Sequence, residues 1–225
     1  KEMIAAAVDS GADFLKFQTY IAEQRYDSVN NPKGEAFIAM LKEWQFSQQD
    51  EAKLWEYAHD LGAKVFTSVY DLASIDFAVE LGTLGFKIAA FEAVNHKLVR
   101  AIAGKGLPVI VSRGMTTLAE LKSCERILEA EGVDYCFLHC VSSYPLKRVD
   151  SNLRAIHTLR DQFQCQIGHS DHTHGTDIPP LAVAAGANII EKHFTVTPKY
   201  RESDNFFSVT PDELREIRFK VDQVH

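Results

Sequence analysis

The chain has little that would staple or anchor it. Of its 225 residues only 4 are cysteine, namely Cys124, Cys136, Cys140 and Cys165, and no two form a CxxC pair. That excludes a finger-type zinc site, and a chain of this length needs no disulfide framework to hold its core. Cys136 and Cys140 lie in an apolar run and read as small buried hydrophobes, which suits a reducing cytoplasm. No apolar run approaches the ~20 residues of a membrane span, and Lys1-Glu2-Met3-Ile4 lacks the apolar core of a signal peptide. Positive charge is in the minority: 24 Lys and Arg stand against 31 Asp and Glu, a formal net charge of −7. This argues against a general nucleic-acid binder and leaves room for a local basic pocket that takes a small anion. Glycine-rich nucleotide loops are missing as well, since neither GxGxxG nor GxxxxGK[ST] occurs. A doubly wound nucleotide-binding sheet would normally carry such a first turn.

What is present is a regular alternation of short apolar runs and helix-length segments. Strands are expected at 13–19, 63–68, 85–90, 108–112, 135–141, 164–168 and 187–193. Helices are expected at 1–10, 49–61, 71–81, 95–103, 117–130, 151–161, 178–185 and 211–221, with Gly11, Gly62, Gly82, Gly104, Gly132 and Gly186 as stops. Ser47 supplies an N-cap for the second of these helices. Residues 20–47 read as irregular, with a turn cluster Asn30-Asn31-Pro32-Lys33-Gly34 and a short helix at 36–44. A loop that long after a strand is usually functional. Apolar strands alternating with helices make βα units and a parallel sheet. Eight framework helices against seven strands, the first helix having no strand before it, point to an α/β fold of the TIM (β/α)8 type. The expectation is one barrel domain over residues 1–225, its first strand lying upstream of residue 1. An open doubly wound sheet is the rival.

In either architecture ligands bind at the carboxyl ends of the strands. The residues expected there are Lys16 and Gln18; Thr67 and Ser68; Lys87 and Glu92; Ser112 and Arg113; His139, Ser142, Ser143 and Tyr144; His169, Ser170, Asp171 and His172; and Glu191 and His193. Lysines and hydroxyls on inward faces make a cradle for phosphate and carboxylate. The plainer alternative is that Lys16 and Lys87 pair with Glu92 or Glu191 as structural ions. His172 and His193, from adjacent strands, could share one divalent ion with open positions for water and substrate oxygen, which suits Mn²⁺ or a similar metal. His157, His174 and His225 read as solvated. Asp204 lies on the last long loop, and Ser208 and Thr210 read as helix-entry caps.

These residues fall into motifs: Lys16-Phe17-Gln18-Thr19, Lys87-Ile88-Ala89, His139-Cys140-Val141-Ser142-Ser143-Tyr144-Pro145, Gly168-His169-Ser170-Asp171-His172-Thr173, Glu191-Lys192-His193-Phe194-Thr195 and Pro211-Asp212-Glu213-Leu214. In kind and order they resemble the sialic acid (N-acetylneuraminate) synthase family, which includes legionaminic and pseudaminic acid synthases and spore-coat polysaccharide synthases. The resemblance covers essentially the whole chain. It implies a cytoplasmic TIM-barrel transferase that condenses phosphoenolpyruvate with an N-acetylated aldose such as N-acetylmannosamine and releases phosphate. By that resemblance Lys16, Lys87, Ser112, Ser142 and Ser170 hold phosphoenolpyruvate, with Ser68 at a position often Thr and Gln18 among the substrate-binding residues. His172 and His193 ligate Mn²⁺, with Mg²⁺ or Co²⁺ as alternatives, and Glu92, Tyr144 and Asp204 face the sugar. The catalytic set it implies is Lys16, Lys87, Glu92, His172 and His193. A homodimer is implied for the full-length protein.

Three departures from the family pattern stand out. The family's first-strand glutamate is not among these residues. Ala90 stands where the family usually has Ser. The family's C-terminal antifreeze-like domain, with its arginine, is not part of the sequence. The segment by itself is therefore expected to be weakly active or inactive. Rival readings are a Schiff-base pyruvate aldolase using Lys16, Lys87 or Lys192, a metal-dependent hydrolase suggested by His172-Thr173-His174, and a non-catalytic sugar-binding barrel.

Overall fold

The computed structural model describes residues 1–26, 29–31, 33–197 and 204–224. Seven strands form one sheet: β1 (Leu15–Thr19), β2 (Val65–Val69), β3 (Phe86–Ile88), β4 (Val109–Arg113), β5 (Tyr135–Cys140), β6 (Gln166–Asp171) and β7 (Ile190–Lys192). They are hydrogen-bonded in sequence order, and every neighbouring pair is parallel. Between and around them run α1 (Glu2–Asp9), α2 (Ala22–Arg25), α3 (Gly34–Trp44), α4 (Gln48–Asp60), α5 (Leu72–Glu80), α6 (His96–Ala103), α7 (Leu118–Glu131), α8 (Ala155–Gln162), α9 (Ile178–Ala184) and α10 (Pro211–Val224). A doubly wound sheet reverses its strand order at a switch point. This order never reverses, and the fold is the wall of a TIM-type (β/α) barrel.

Alternation along the strands separates two layers. Phe86, Ile88, Val109, Val111, Phe137 and Ile167 turn outward and join Ile75, Leu98, Ile102, Leu121, Leu128, Ile156 and Leu159 of the helices in one buried cluster. Each such side chain contributes about 1.5–3 kcal/mol of burial. Phe17 also turns outward, at the wall's first strand, and stacks on Trp55 of α4 at 5.5 Å. The intervening positions, Lys16, Ser68, Lys87, Ser112, Cys140, Ser170 and Glu191, face the barrel interior.

Helix starts follow local chemistry. Ser47, Asp71 and Asn95 each accept a backbone N–H from three residues on. Thr117 with Glu120, and Thr210 with Glu213, form reciprocal capping boxes. Cys136 and Cys140 are buried, as expected.

Four local expectations are corrected. Residues 20–47 contain the short helix α2 as well as α3, which begins at Gly34. The helix expected from 151 begins at Ala155, after a 3-10 turn at Arg148–Asp150. Asn152 has φ 45, a left-handed conformation that a right-handed helix cannot pass through, and the Ser151 carbonyl is engaged by His139 Nε2 at 2.8 Å. Strand β6 continues to Asp171, three residues past the expected end. The last helix runs to Val224. Pro32 of the turn cluster and His225 lie outside the described residues, as do 198–203 of the last long loop.

Candidate active site

The carboxyl ends of the strands gather one buried ionic centre. Lys87 on β3 and Glu191 on β7 approach to 3.4 Å across the interior, and Ser170 on β6 donates to Glu191 Oε1 at 2.8 Å. Burial alone would push the Glu191 carboxyl up. The ammonium groups of Lys87 and then Lys16, with the Ser170 hydroxyl, override it and hold the group at about 2. Glu191 is thus a fixed anion at any working pH. The pairing anticipated as the plainer alternative is real for Lys87, and its partner is Glu191 rather than Glu92. The pair does not fill the pocket: Ser112 on β4, also interior and buried, has an Oγ with no partner, and Ser68 on β2 is buried beside Lys87 in register. Ser142 overhangs Gly114, whose added Cβ would come within 2.7 Å of its Oγ.

Next to this centre stand two imidazoles. His172 follows β6 and His193 follows β7, and their ring centroids are 5.7 Å apart. His172 Nδ1 lies 2.9 Å from the Val141 carbonyl. That bond fixes the tautomer with the proton on Nδ1 and leaves Nε2 its lone pair. Burial is the main cause that lowers the His172 pKa. Burial, then the charge of Lys16, takes His193 down to about 3. Both rings are therefore neutral at pH 7, the form that binds metal. The donor set fits a divalent ion: two neutral imidazoles suit Mn²⁺ and its neighbours, with oxygens filling the other positions. Among the described residues no His, Cys, Asp or Glu joins them in a group of three or more arranged to hold a metal ion.

Aromatic rings wall this end. Tyr144 lies 4.2 Å from the His172 ring and 5.5 Å from Phe207, and Phe207 lies 5.0 Å from His193. Burial raises the Tyr144 phenol well above its usual range, so it stays a neutral donor. Asp204 Oδ2 is 3.7 Å from His193 Nδ1, and burial raises its carboxyl against the pull of His172 and Lys16.

Lys16, Lys87, Ser170, His172, His193, Tyr144 and Asp204 are thus brought together, with Ser68 and Ser112 buried on neighbouring strands and Ser142 just beyond β5. Gln18 is exposed at the end of β1. Glu92 stands apart from the lysines: Asn95 donates to its Oε2 at 2.8 Å, and its carboxyl is raised by burial. His174 is exposed, against Phe206 at 4.8 Å. Three strand-end residues prove to face the helices. His139 and His169 stack at 5.3 Å behind the sheet, and Asp171 pairs there with Lys192 at 2.6 Å. For His169 and Asp171 the extra length of β6 explains this, because strand alternation continues through His169-Ser170-Asp171.

Sequence reasoning left three site residues out of its functional set, Glu191 entering only as a structural ion-pair partner for the lysines. Glu191 was only one of several strand-end polar groups, and a carboxylate at an apolar strand tip between two lysines was the available signal. Phe207 had none beyond its apolar character. Arg25, at the end of α2, lies 3.9 Å over the Tyr70 ring and 5.0 Å from Tyr20, and its charge reaches both Glu92 and Asp204.

Fold and site together define a (β/α) barrel whose strand ends bring Lys16, Lys87 and Glu191 beside the paired imidazoles of His172 and His193. The sequence goes further. The NeuB family pattern matches residues 3–225, and the chain belongs to that family. It is 38% identical to N,N'-diacetyllegionaminic acid synthase of Legionella pneumophila, over 96% of this chain. It is 36% identical to pseudaminic acid synthase of Campylobacter jejuni, over 94% of this chain. The chain spans 65% of the length of each of those two relatives. Among solved structures it superposes on N-acetylneuraminic acid synthetase of Leptospira borgpetersenii, in complex with citrate, with a TM-score of 0.92 and 34% identity, over 99% of this chain and 76% of that one.

Proposed function

We propose that the protein is a nonulosonic (sialic-type) acid synthase that joins phosphoenolpyruvate to an N-acetylated aldose such as N-acetylmannosamine and releases phosphate. The observation that carries the reading is the meeting of the Lys87–Glu191–Ser170 centre with the neutral pair His172 and His193 at one set of strand ends. The names of the relatives agree with it.

Lys16 and Lys87 hold the phosphate and carboxylate of phosphoenolpyruvate, and the unpartnered Ser112 hydroxyl supplies a directed bond. Glu191 stays ionised and keeps Lys87 aimed across the interior. His172 and His193 would hold the divalent ion, which when bound polarises the aldehyde oxygen as a Lewis acid. Tyr144 and Asp204 orient the sugar over the imidazoles, and Phe207 excludes water from that side. The enol carbon of phosphoenolpyruvate attacks the aldehyde carbon, so no protein nucleophile is needed. Water then adds to the oxocarbenium-like carbon, the C–O bond to phosphate breaks, and inorganic phosphate leaves. Holding both reactants in attack geometry is the residues' chief contribution.

The test is phosphate release by the full-length protein. It should require phosphoenolpyruvate, an N-acetylated aldose and a divalent ion together. His193→Gln should lower kcat at least about 100-fold, as expected for loss of a metal ligand. Phosphate release that proceeds equally well without aldose would overturn the proposal.

A further inference from the structure

Asp171 and Lys192 join β6 to β7 on the face away from the substrate pocket. They are Cα partners in the strand register. Lys192 Nζ lies 2.6 Å from Asp171 Oδ2 and also donates to the Thr173 carbonyl. The Asp171 carboxylate accepts from Thr173 N at 2.9 Å and Thr173 Oγ1 at 3.1 Å. The side chains are only 0% and 4% exposed. Such a pair gains little net stability, because stripping water from both charges offsets their attraction, and apolar residues of similar volume often serve as well or better. Apolar residues in both places together would extend the outward apolar layer without leaving a charge there.

What the pair supplies and an apolar contact lacks is direction. Strand β7 is three residues long, and only three Cα pairs tie it to β6. A slip of one residue would turn every β7 side chain to the opposite face. His172 and His193 are the residues immediately after Asp171 and Lys192, and they emerge on the interior side with their rings 5.7 Å apart. We propose that the Asp171–Lys192 pair is a register clamp, and that both are positioning residues which set the spacing at which His172 and His193 can share one cation. The inference rests on the reading of those two histidines as ligands.

The experiment is Mn²⁺ titration of the full-length protein, following loss of the free-ion EPR signal, with urea unfolding of each variant in EDTA as a separate readout. His193→Gln tests the ligand reading and should weaken binding by more than 100-fold. Lys192→Met should weaken it about 10–100-fold, the range for residues that orient metal ligands. Lys192→Arg should recover most of the loss. The apolar pair Asp171→Leu with Lys192→Met should unfold near the wild-type urea midpoint and still bind Mn²⁺ weakly, an outcome that a purely structural role would not give. Wild-type Mn²⁺ affinity in that pair, with His193→Gln impaired, would sink the clamp and leave the ligand reading standing. Unimpaired binding in His193→Gln would remove both. If neither apolar variant folds, the pair is required for stability and the clamp is likewise overturned.

Discussion

Glu191 and His193, two residues apart, respond to acid in ways that can be separated. An unfolded Glu titrates near 4.5, and folded Glu191 is held at about 2. Its contribution to stability is fully present above pH 4.5 and is lost only as the pH falls toward 2. His193 moves from 6.5 to about 3. Below pH 6.5 the unfolded chain takes up a proton that the folded chain refuses, so stability falls progressively from pH 6.5 toward 3. The loss expected between pH 7.5 and 5 therefore belongs to the buried histidines, His193 and His169 with His172 and His139, all lowered chiefly by burial, and not to Glu191. For His193 it reaches about 2 kcal/mol at pH 5. Urea unfolding at the two pH values should show the drop, and His193→Gln should remove the share that belongs to His193 and leave that of His139, His169 and His172. Lys87→Met makes a sharper change at neutral pH, because it strands the Glu191 charge in the interior. It should cost about 3–5 kcal/mol, and adding Glu191→Gln should restore part of that. A wild-type urea midpoint in Lys87→Met would mean that Glu191 is held by something else. The lysines, serines and two histidines of this centre were legible as polar tips on apolar strands. Arg25 was not, because its position depends on α2 folding back over Tyr70, and no local pattern encodes that contact.

At the scale of single elements, a strand ended too early explains the largest error. Gly168 was taken as the end of its strand, yet it stands inside β6, where an added Cβ would fall 2.5 Å from the Ile189 carbonyl oxygen and 2.5 Å from Leu138 Cδ2. It is there for close approach, one of the two things a strand glycine can mean. Ending the strand early hid the alternation that turns His169 and Asp171 toward the helices and Ser170 toward Glu191. The order of strands and helices was otherwise legible, since each element has its own period and cap. Which polar strand-end residues faced inward was legible only where the strand boundary was right. Gly168→Ala should press β6 away from β7, lowering stability by about 1–3 kcal/mol as overpacking does. The His169 amide, bonded to the Ile189 carbonyl at 2.8 Å, should then exchange with solvent faster than the amides of β4. Unchanged exchange at His169 would show that the contact relaxes without moving the strand.

Across the whole molecule, the placement of the lysines decides between two chemistries that a strand-end lysine allows. An imine-forming lysine must present a free amine to the substrate carbonyl, usually in apolar surroundings. Lys192, one candidate, points behind the sheet and donates to Asp171 and Thr173. Lys87 faces the interior but is engaged with Glu191. Lys16 shares that polar centre, where its charge acts on Glu191, His193 and Asp204. None is set in an apolar niche with its amine unengaged and aimed at a carbonyl, and all of the interior positive charge suits an anion better than an imine. Borohydride added with pyruvate should therefore leave no reduced adduct on any lysine, as read by peptide mass, and phosphate release from phosphoenolpyruvate should survive the treatment. A pyruvyl adduct on Lys16 or Lys87 would place the protein with the Schiff-base aldolases and require the interior ion pair to open before each turnover.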